Sequence, residues 1–180
     1  MDRKLRIATN PGPKKISIMK IRLTLGMGVV FFLMSLSLKA DPIEINDFVT
    51  GSFKDIQNQY QNQPFILVFW SESCAYCMKE LAMFGQIQTQ YPNLNLVTVA
   101  TDPFLDEMTV NEVMERSQLK LQQTWVFAEP YPEVIYADIN PKWRGELPLT
   151  YFFTRTHEII PHMGVVKEAE LIDWLDKQRQ

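Results

Sequence analysis

The sequence predicts an α/β domain: a central mixed β-sheet flanked by helices on both faces. Three observations carry this. Short apolar runs alternate with stretches whose apolar residues recur at three- and four-residue spacing, as in strands joined through helices. Near the end, two strand-like runs follow each other across a tight turn, and an amphipathic stretch closes the chain. The 180 residues, 46% hydrophobic and 12% aromatic, suit one globular domain plus a short extra segment. The expected division is 1–40 as a tail with a targeting segment and 41–180 as the domain.

Residues 43–50 alternate and read as a first strand. Ser52 is placed to cap a short helix reaching Tyr60, with Phe53, Ile56 and Tyr60 on one face. Gln61 to Pro64 breaks it. Phe65-Ile66-Leu67-Val68-Phe69-Trp70 reads as a strand buried on both faces. A helix is expected from Ala75 to Gln90, where Met78, Leu81, Ala82, Phe84 and Ile87 have helical spacing. Tyr91-Pro92-Asn93 ends it, and residues 94–100 form the next strand. Asp102-Pro103 opens a loop, 110–117 reads as a helix and 124–128 as a short strand. Pro130, Pro132 and Pro141 mark an irregular segment with one helical turn at 134–137. Strands at 149–154 and 158–162 pair through Arg155-Thr156-His157, and a helix over 167–179 buries Leu171, Ile172 and Leu175.

Charge is unevenly distributed. Residues 1–40 hold eight Lys and Arg and one acid, Asp2, so the other 140 residues carry 10 of the 18 basic and 20 of the 21 acidic side chains, a net −10. An acidic domain repels phosphate backbones, which argues against nucleic acid as a partner. Leu23 to Leu38 is uncharged, preceded by Lys20 and Arg22 and followed by Lys39-Ala40-Asp41-Pro42. A positive start, an apolar core and small residues after it describe a secretory signal, and the stretch is short of the ~20 residues of a spanning helix. Cleavage after Ser37, with Ser35 three residues from the cut, is sterically better than cleavage after Ala40, and an uncleaved membrane tether through 23–38 stays open. Met19-Lys20-Ile21-Arg22 would make a conventional start of such a signal, so Met1 and Met19 are both candidate starts. Such a signal puts the domain outside the cytoplasm, and the expected location is the periplasm of a bacterial envelope, secreted or membrane-anchored.

The chain has two cysteines, Cys74 and Cys77, between the buried strand and the long helix. This order puts a dithiol at a helix N-terminus, where free N–H groups and the helix dipole favour a thiolate. Thiol pKa values near 8.5 fall to about 3.5–7.5 in such places. Cys74 then attacks or is attacked, and the more buried Cys77 resolves the mixed disulfide. The competing readings are half of a zinc site, which needs two further ligands where only His157 and His162 are histidines, and a disulfide that never exchanges.

The segment Phe69-Trp70-Ser71-Glu72-Ser73-Cys74-Ala75-Tyr76-Cys77-Met78-Lys79-Glu80-Leu81 resembles the active-site segment of the thioredoxin superfamily. It is most similar to the exported TlpA-like and cytochrome-c-biogenesis branch, whose segment reads Phe-Trp-x-x-Trp-Cys-x-x-Cys-x-x-Glu. Gly145-Glu146-Leu147-Pro148-Leu149-Thr150 is similar to that family's Gly-x-x-Pro-x-Thr before a strand, and Gly164 is a weaker match. The resemblance covers about residues 43–178. It implies a thioredoxin-like fold and a cis bond before Pro148 beside Cys74. It also implies a backbone at Leu147 that pairs with substrate, and a substrate surface drawn from Trp70, Ser73, Ala75, Tyr76, Leu147 and Pro148. Its implied partners are protein substrates with cysteines and an inner-membrane thiol electron donor or acceptor, with no cofactor and no metal.

Three departures bear on the chemistry. Ser73 stands where the family usually has Trp. Val68 stands where thioredoxins bury an acid, so proton transfer at Cys77 needs another group; Glu72, Glu80 and a water are candidates, each weighed against an ordinary solvated charge. The Ala75-Tyr76 dipeptide resembles those of disulfide isomerases and points to a mildly oxidising potential. A periplasmic reductase, for example in cytochrome c maturation, is the leading expectation. An oxidase or isomerase of secreted proteins and a copper-binding chaperone using His162 are the alternatives. Trp125, Trp143, Tyr131 and Tyr136 read as packing or as a partner surface, and Met78, Met83, Met108 and Met114 as core fillers.

Overall fold

A computed structural model describes residues 43–121 and 123–179. The expectations for 1–40, including the segment 23–38 and the start at Met19, lie outside the described residues. The order is β1 (Glu44–Phe48), α1 (Ser52–Gln59), β2 (Phe65–Trp70), α2 (Ala75–Gln90), β3 (Leu96–Ala100), α3 (Glu107–Arg116), β4 (Gln123–Phe127), α4 (Pro132–Ile139), β5 (Leu149–Phe153), β6 (Ile159–Met163) and α5 (Glu168–Gln178).

The six strands form one mixed sheet in the order β1-β4-β3-β2-β5-β6. β1, β4, β3 and β2 run parallel, and β5 pairs antiparallel with both β2 and β6. The alternation of β2 sorts its side chains onto two cores. Ile66, Val68 and Trp70 face α2, α3 and α5, packing with Leu81, Phe84, Val113 and Leu171. Phe65, Leu67 and Phe69 face α1 and α4, packing with Ile56, Ile135 and Trp143. The helices therefore cover both faces, as the sequence predicts. Among the described residues no helix is long and apolar enough to cross a membrane.

Several boundaries differ from the sequence-based expectation for local reasons. Ser52 does not cap α1. Gly51, in the left-handed region at φ 94°, precedes the helix, and Ser52 Oγ instead accepts the Val49 N–H at 3.0 Å. The helix expected over 110–117 starts three residues earlier because Asp106 caps it, accepting the Thr109 N–H at 3.0 Å. The single turn expected at 134–137 is a full helix, with Pro132 in its first turn, where a missing N–H costs nothing.

β6 is one edge of the sheet. Gly164 and Thr154 donate to Pro148 and Glu158 across the hairpin, so ladder bonds fall on even-numbered residues of β6. Pro161 falls on an odd one, and its ring nitrogen faces the open edge.

Gly85 fixes the approach of α2 to the end of α3: a Cβ there would run into the Ser117 backbone carbonyl oxygen. Because the obstacle is main chain, Gly85→Ala should lower stability by ~1–3 kcal/mol, read as a fall in the urea midpoint. An unchanged midpoint would mean that the α2–α3 junction has slack.

Candidate functional site

The site begins where β2 ends. Thr101 N–H donates to the Trp70 carbonyl at 2.8 Å, tying the ends of β2 and β3 together. The next loop hangs on Asp102: one carboxylate oxygen accepts from Ser71 Oγ at 2.8 Å and the other from the Glu72 N–H at 2.8 Å. Ser71 Oγ also lies 3.1 Å from Ser73 Oγ. The Cys74 N–H donates to the Ser71 carbonyl, closing the turn that delivers the first cysteine.

Cys74 is the N-cap of α2, its backbone extended at φ −87° and ψ 97°. Its Sγ accepts the Cys77 N–H at 3.1 Å, the place a capping oxygen usually takes. Cys74 and Cys77 are joined by a disulfide, with Cα atoms 5.2 Å apart. Cys74 is partly exposed and Cys77 fully buried, so the pair lies across the boundary between surface and core.

Glu80 lies one turn beyond Cys77 on the same side of α2, and it is 0% exposed. It is therefore not a solvated charge. Its Oε1 accepts the Val166 N–H at 2.8 Å, and its Oε2 accepts from Thr150 Oγ1 at 3.3 Å. Burial pushes its carboxyl above the ordinary range; the Val166 and Thr150 hydrogen bonds and the nearby His162 offset part of that rise. Thr150 is the register partner of Val68, so Glu80 reaches from the helix to the row of the sheet that Val68 leaves apolar. Glu72, the other candidate acid, is exposed.

The bond between Leu147 and Pro148 is cis, and Pro148 is buried at the head of β5. Leu149 pairs with Phe69, so the loop before β5 abuts the end of β2 that leads to Cys74. Trp143 is buried against Phe69 and Tyr136, and its Nε1 donates to the Glu146 carbonyl at 2.9 Å. Gly145 has φ 89°, and a Cβ there would come within 2.9 Å of the Tyr136 ring. This packing shapes the loop that carries Leu147.

The remaining expected residues divide. Ser73, Ala75 and Tyr76 are exposed, with Tyr76 at 64% and Lys79 Nζ 5.3 Å from its ring centroid. Leu147 is half-buried. Trp70, expected at the substrate surface, is fully buried in the core beneath Cys74 and cannot touch a partner. Trp125 and Trp143 are core residues, whereas Tyr131 is exposed. Met114 fills the core as expected, but Met108 is exposed. His157 and His162 stand at opposite ends of the β6 hairpin, and His157 Nε2 lies 2.8 Å from the Tyr60 carbonyl oxygen. Among the described residues no group of three or more His, Cys, Asp and Glu side chains is arranged to hold a metal ion.

A disulfide at the start of a helix that follows a buried parallel strand, with a cis-proline opening the antiparallel neighbour, decides the architecture. The chain has a thioredoxin fold. The described sheet and helices superpose on solved members of that fold. A secreted Mycobacterium tuberculosis disulfide oxidoreductase homologous to E. coli DsbE matches at a TM-score of 0.53 and 19% identity, over 67% of this chain and 85% of that one. A thioredoxin-family thiol:disulfide interchange protein from Chlorobium tepidum matches at 0.54 and 15%, over 69% and 85%. A DsbF homologue from Corynebacterium diphtheriae matches at 0.54 and 13%, over 67% and 75%. Neither a protein-family model nor a curated protein matches the sequence.

Asp102 is the site residue that sequence reading missed; its only signal was the Asp-Pro loop start after β3. The raised Glu80 pKa gives a signed expectation. Between the ordinary glutamate value of about 4.3 and the raised one, the folded state binds more protons than the unfolded state. Stability contributed by protonated Glu80 is therefore present at low pH and lost as pH rises through that window. Glu80→Gln should remove this fall, seen as a wild-type-minus-variant difference in denaturant midpoint that becomes more negative as pH rises. A flat difference would contradict the shift.

Proposed function

We propose that this chain is an exported thiol–disulfide oxidoreductase of the TlpA-like kind, working as a periplasmic reductase on cysteines of other proteins, for example in cytochrome c maturation. The observation that carries the reading is the disulfide at the N-cap of α2, with Cys74 partly exposed and the buried Glu80 carboxyl one turn beyond Cys77. Residues 1–40 act as a signal or membrane tether, and 41–180 as the catalytic domain. An inner-membrane thiol donor returns the pair to the reduced state.

The reaction starts from the dithiol. The Cys74 thiolate, held by the Cys77 N–H and the helix N-terminus, attacks one sulfur of a client disulfide. The first client cysteine leaves as a thiolate and takes a proton from water. Cys77 passes its proton to the Glu80 carboxylate and attacks Cys74 Sγ. The second client thiolate leaves, Cys74–Cys77 is oxidised, and the client is reduced by the same two electrons. The cis Leu147–Pro148 segment and the exposed Ser73, Ala75 and Tyr76 form the client surface, extended by Phe104, which is held by its N–H on the Phe127 carbonyl. Trp70 sits under this surface as its floor.

The Ala75-Tyr76 dipeptide and Ser73 favour the opposite reading, an oxidase or isomerase.

Two measurements test the assignment. A Cys77→Ala variant should accumulate clients as mixed disulfides on Cys74, identified by mass spectrometry; no adducts, with a wild type that cycles normally in insulin reduction, would remove Cys74 as the nucleophile. The reduction potential should lie near the ~−270 mV of strong reductants, and a value near ~−120 mV sinks the reductase reading.

A further inference from the structure

Glu80 has no exposed surface, so a proton it takes from Cys77 needs a way out. Among its partners, Val166 donates a main-chain N–H and Thr150 a hydroxyl, and neither side chain titrates in water's usual range. The next residue across the sheet from Thr150 is His162. Directly opposed residues of an antiparallel pair place their side chains on the same face, with Cβ atoms about 4.5–5.5 Å apart. His162 therefore stands on the face where Thr150 meets Glu80. Its Nδ1 lies 3.3 Å from Glu170 Oε1, on the first turn of α5. Exposure rises along the row, from 0% at Glu80 to 24% at the His162 side chain and 52% at Glu170.

We propose that His162, oriented by Glu170, is the positioning residue that conducts protons between the buried Glu80 carboxyl and solvent. The charged groups facing His162 are Glu80 from α2 and Glu170 from α5, while β5 contributes the uncharged Thr150. Imidazole is the side chain whose two ring nitrogens can take a proton on one side and release it on the other. After Cys77 has given its proton to Glu80, the carboxyl passes it to neutral His162, directly or over one water. The imidazolium, paired with Glu170, then releases it to bulk water. On reduction of the disulfide the same steps run backwards: the Cys77 thiolate leaves Cys74, takes the Glu80 proton, and the carboxylate is reprotonated through His162. No electrons move on this path; it carries protons only. The attraction between Glu80 and His162 is also one of the influences that lower the Glu80 pKa from its buried value.

The proposal rests on the reading of Cys74–Cys77 as an exchanging pair, and the test separates the two. Reduction of the disulfide by dithiothreitol is followed by tryptophan fluorescence from about pH 5 to about pH 9, the range that brackets an imidazole. His162→Gln should slow the step roughly tenfold, out of the ~10²–10⁴ that positioned acid–base catalysis supplies, and flatten its pH profile. Imidazole added to the buffer should restore the variant's rate and leave the wild type unchanged, which a merely structural role of His162 would not produce. Glu170→Gln, at a half-exposed position, should slow the step in the same pH range by a smaller factor, and it carries the test if His162→Gln does not fold. If both variants keep the wild-type rate and profile while Glu80→Gln loses them, protons reach Glu80 by another way and the proposal falls. A wild type that dithiothreitol does not reduce would instead overturn the oxidoreductase reading itself.

Discussion

All six residues of β2, Phe65–Trp70, are buried, and both of its hydrogen-bonding edges are filled, by β3 in parallel and β5 antiparallel. At ~1.5–3 kcal/mol for each large apolar side chain fully buried, one strand contributes on the order of a domain's entire net stability, ~5–15 kcal/mol. The site inherits its rigidity from this strand. Cys74 is four residues past its end, Thr101 pins that end to β3, and Leu149 pins it to the segment carrying the cis-proline. In the proposed function, a sulfur that meets a partner in one geometry is thus mounted on a fully buried strand paired along both edges.

The same strand explains the placement of the acid. With Val68 in its central row, β2 has no polar group to offer the dithiol. Glu80 supplies one from the opposite side, held by the Thr150 hydroxyl and by the Val166 N–H of the segment that enters α5. Two hydrogen bonds to a fully buried carboxyl limit the penalty of burying it, without abolishing it, so its proton affinity stays high. That is the property needed of a group that accepts a thiol proton near neutral pH.

What the sequence made legible was local. The bounds of α2, the buried character of β2, the hairpin of β5 and β6 and the pair Cys74–Cys77 all follow from spacing within a dozen residues. What stayed hidden depends on distant parts of the chain. Glu80 reads as a surface charge until α2 is seen to turn it toward Thr150, 70 residues away. Asp102 reads as a loop residue until its carboxylate is found on Ser71 and Glu72, about 30 residues earlier. Trp70 borders the cysteines in sequence, yet strand alternation points it into the core. Even the capping of α1 turned on conformation rather than composition, since Gly51 adopts the left-handed backbone and frees the Ser52 hydroxyl for Val49.

The outward-facing nitrogen of Pro161 has a consequence for how copies of this protein coexist. β6 exposes Ile159, Ile160 and Met163, an apolar edge of the kind that recruits a strand from a neighbouring molecule. Such recruitment needs donors at regular intervals along the open side, and Pro161 deletes the central one of three. An incoming strand would find a gap in the middle of its ladder and a ring where its own carbonyl should dock. The edge can stay greasy for contact through side chains while remaining closed to main-chain polymerisation.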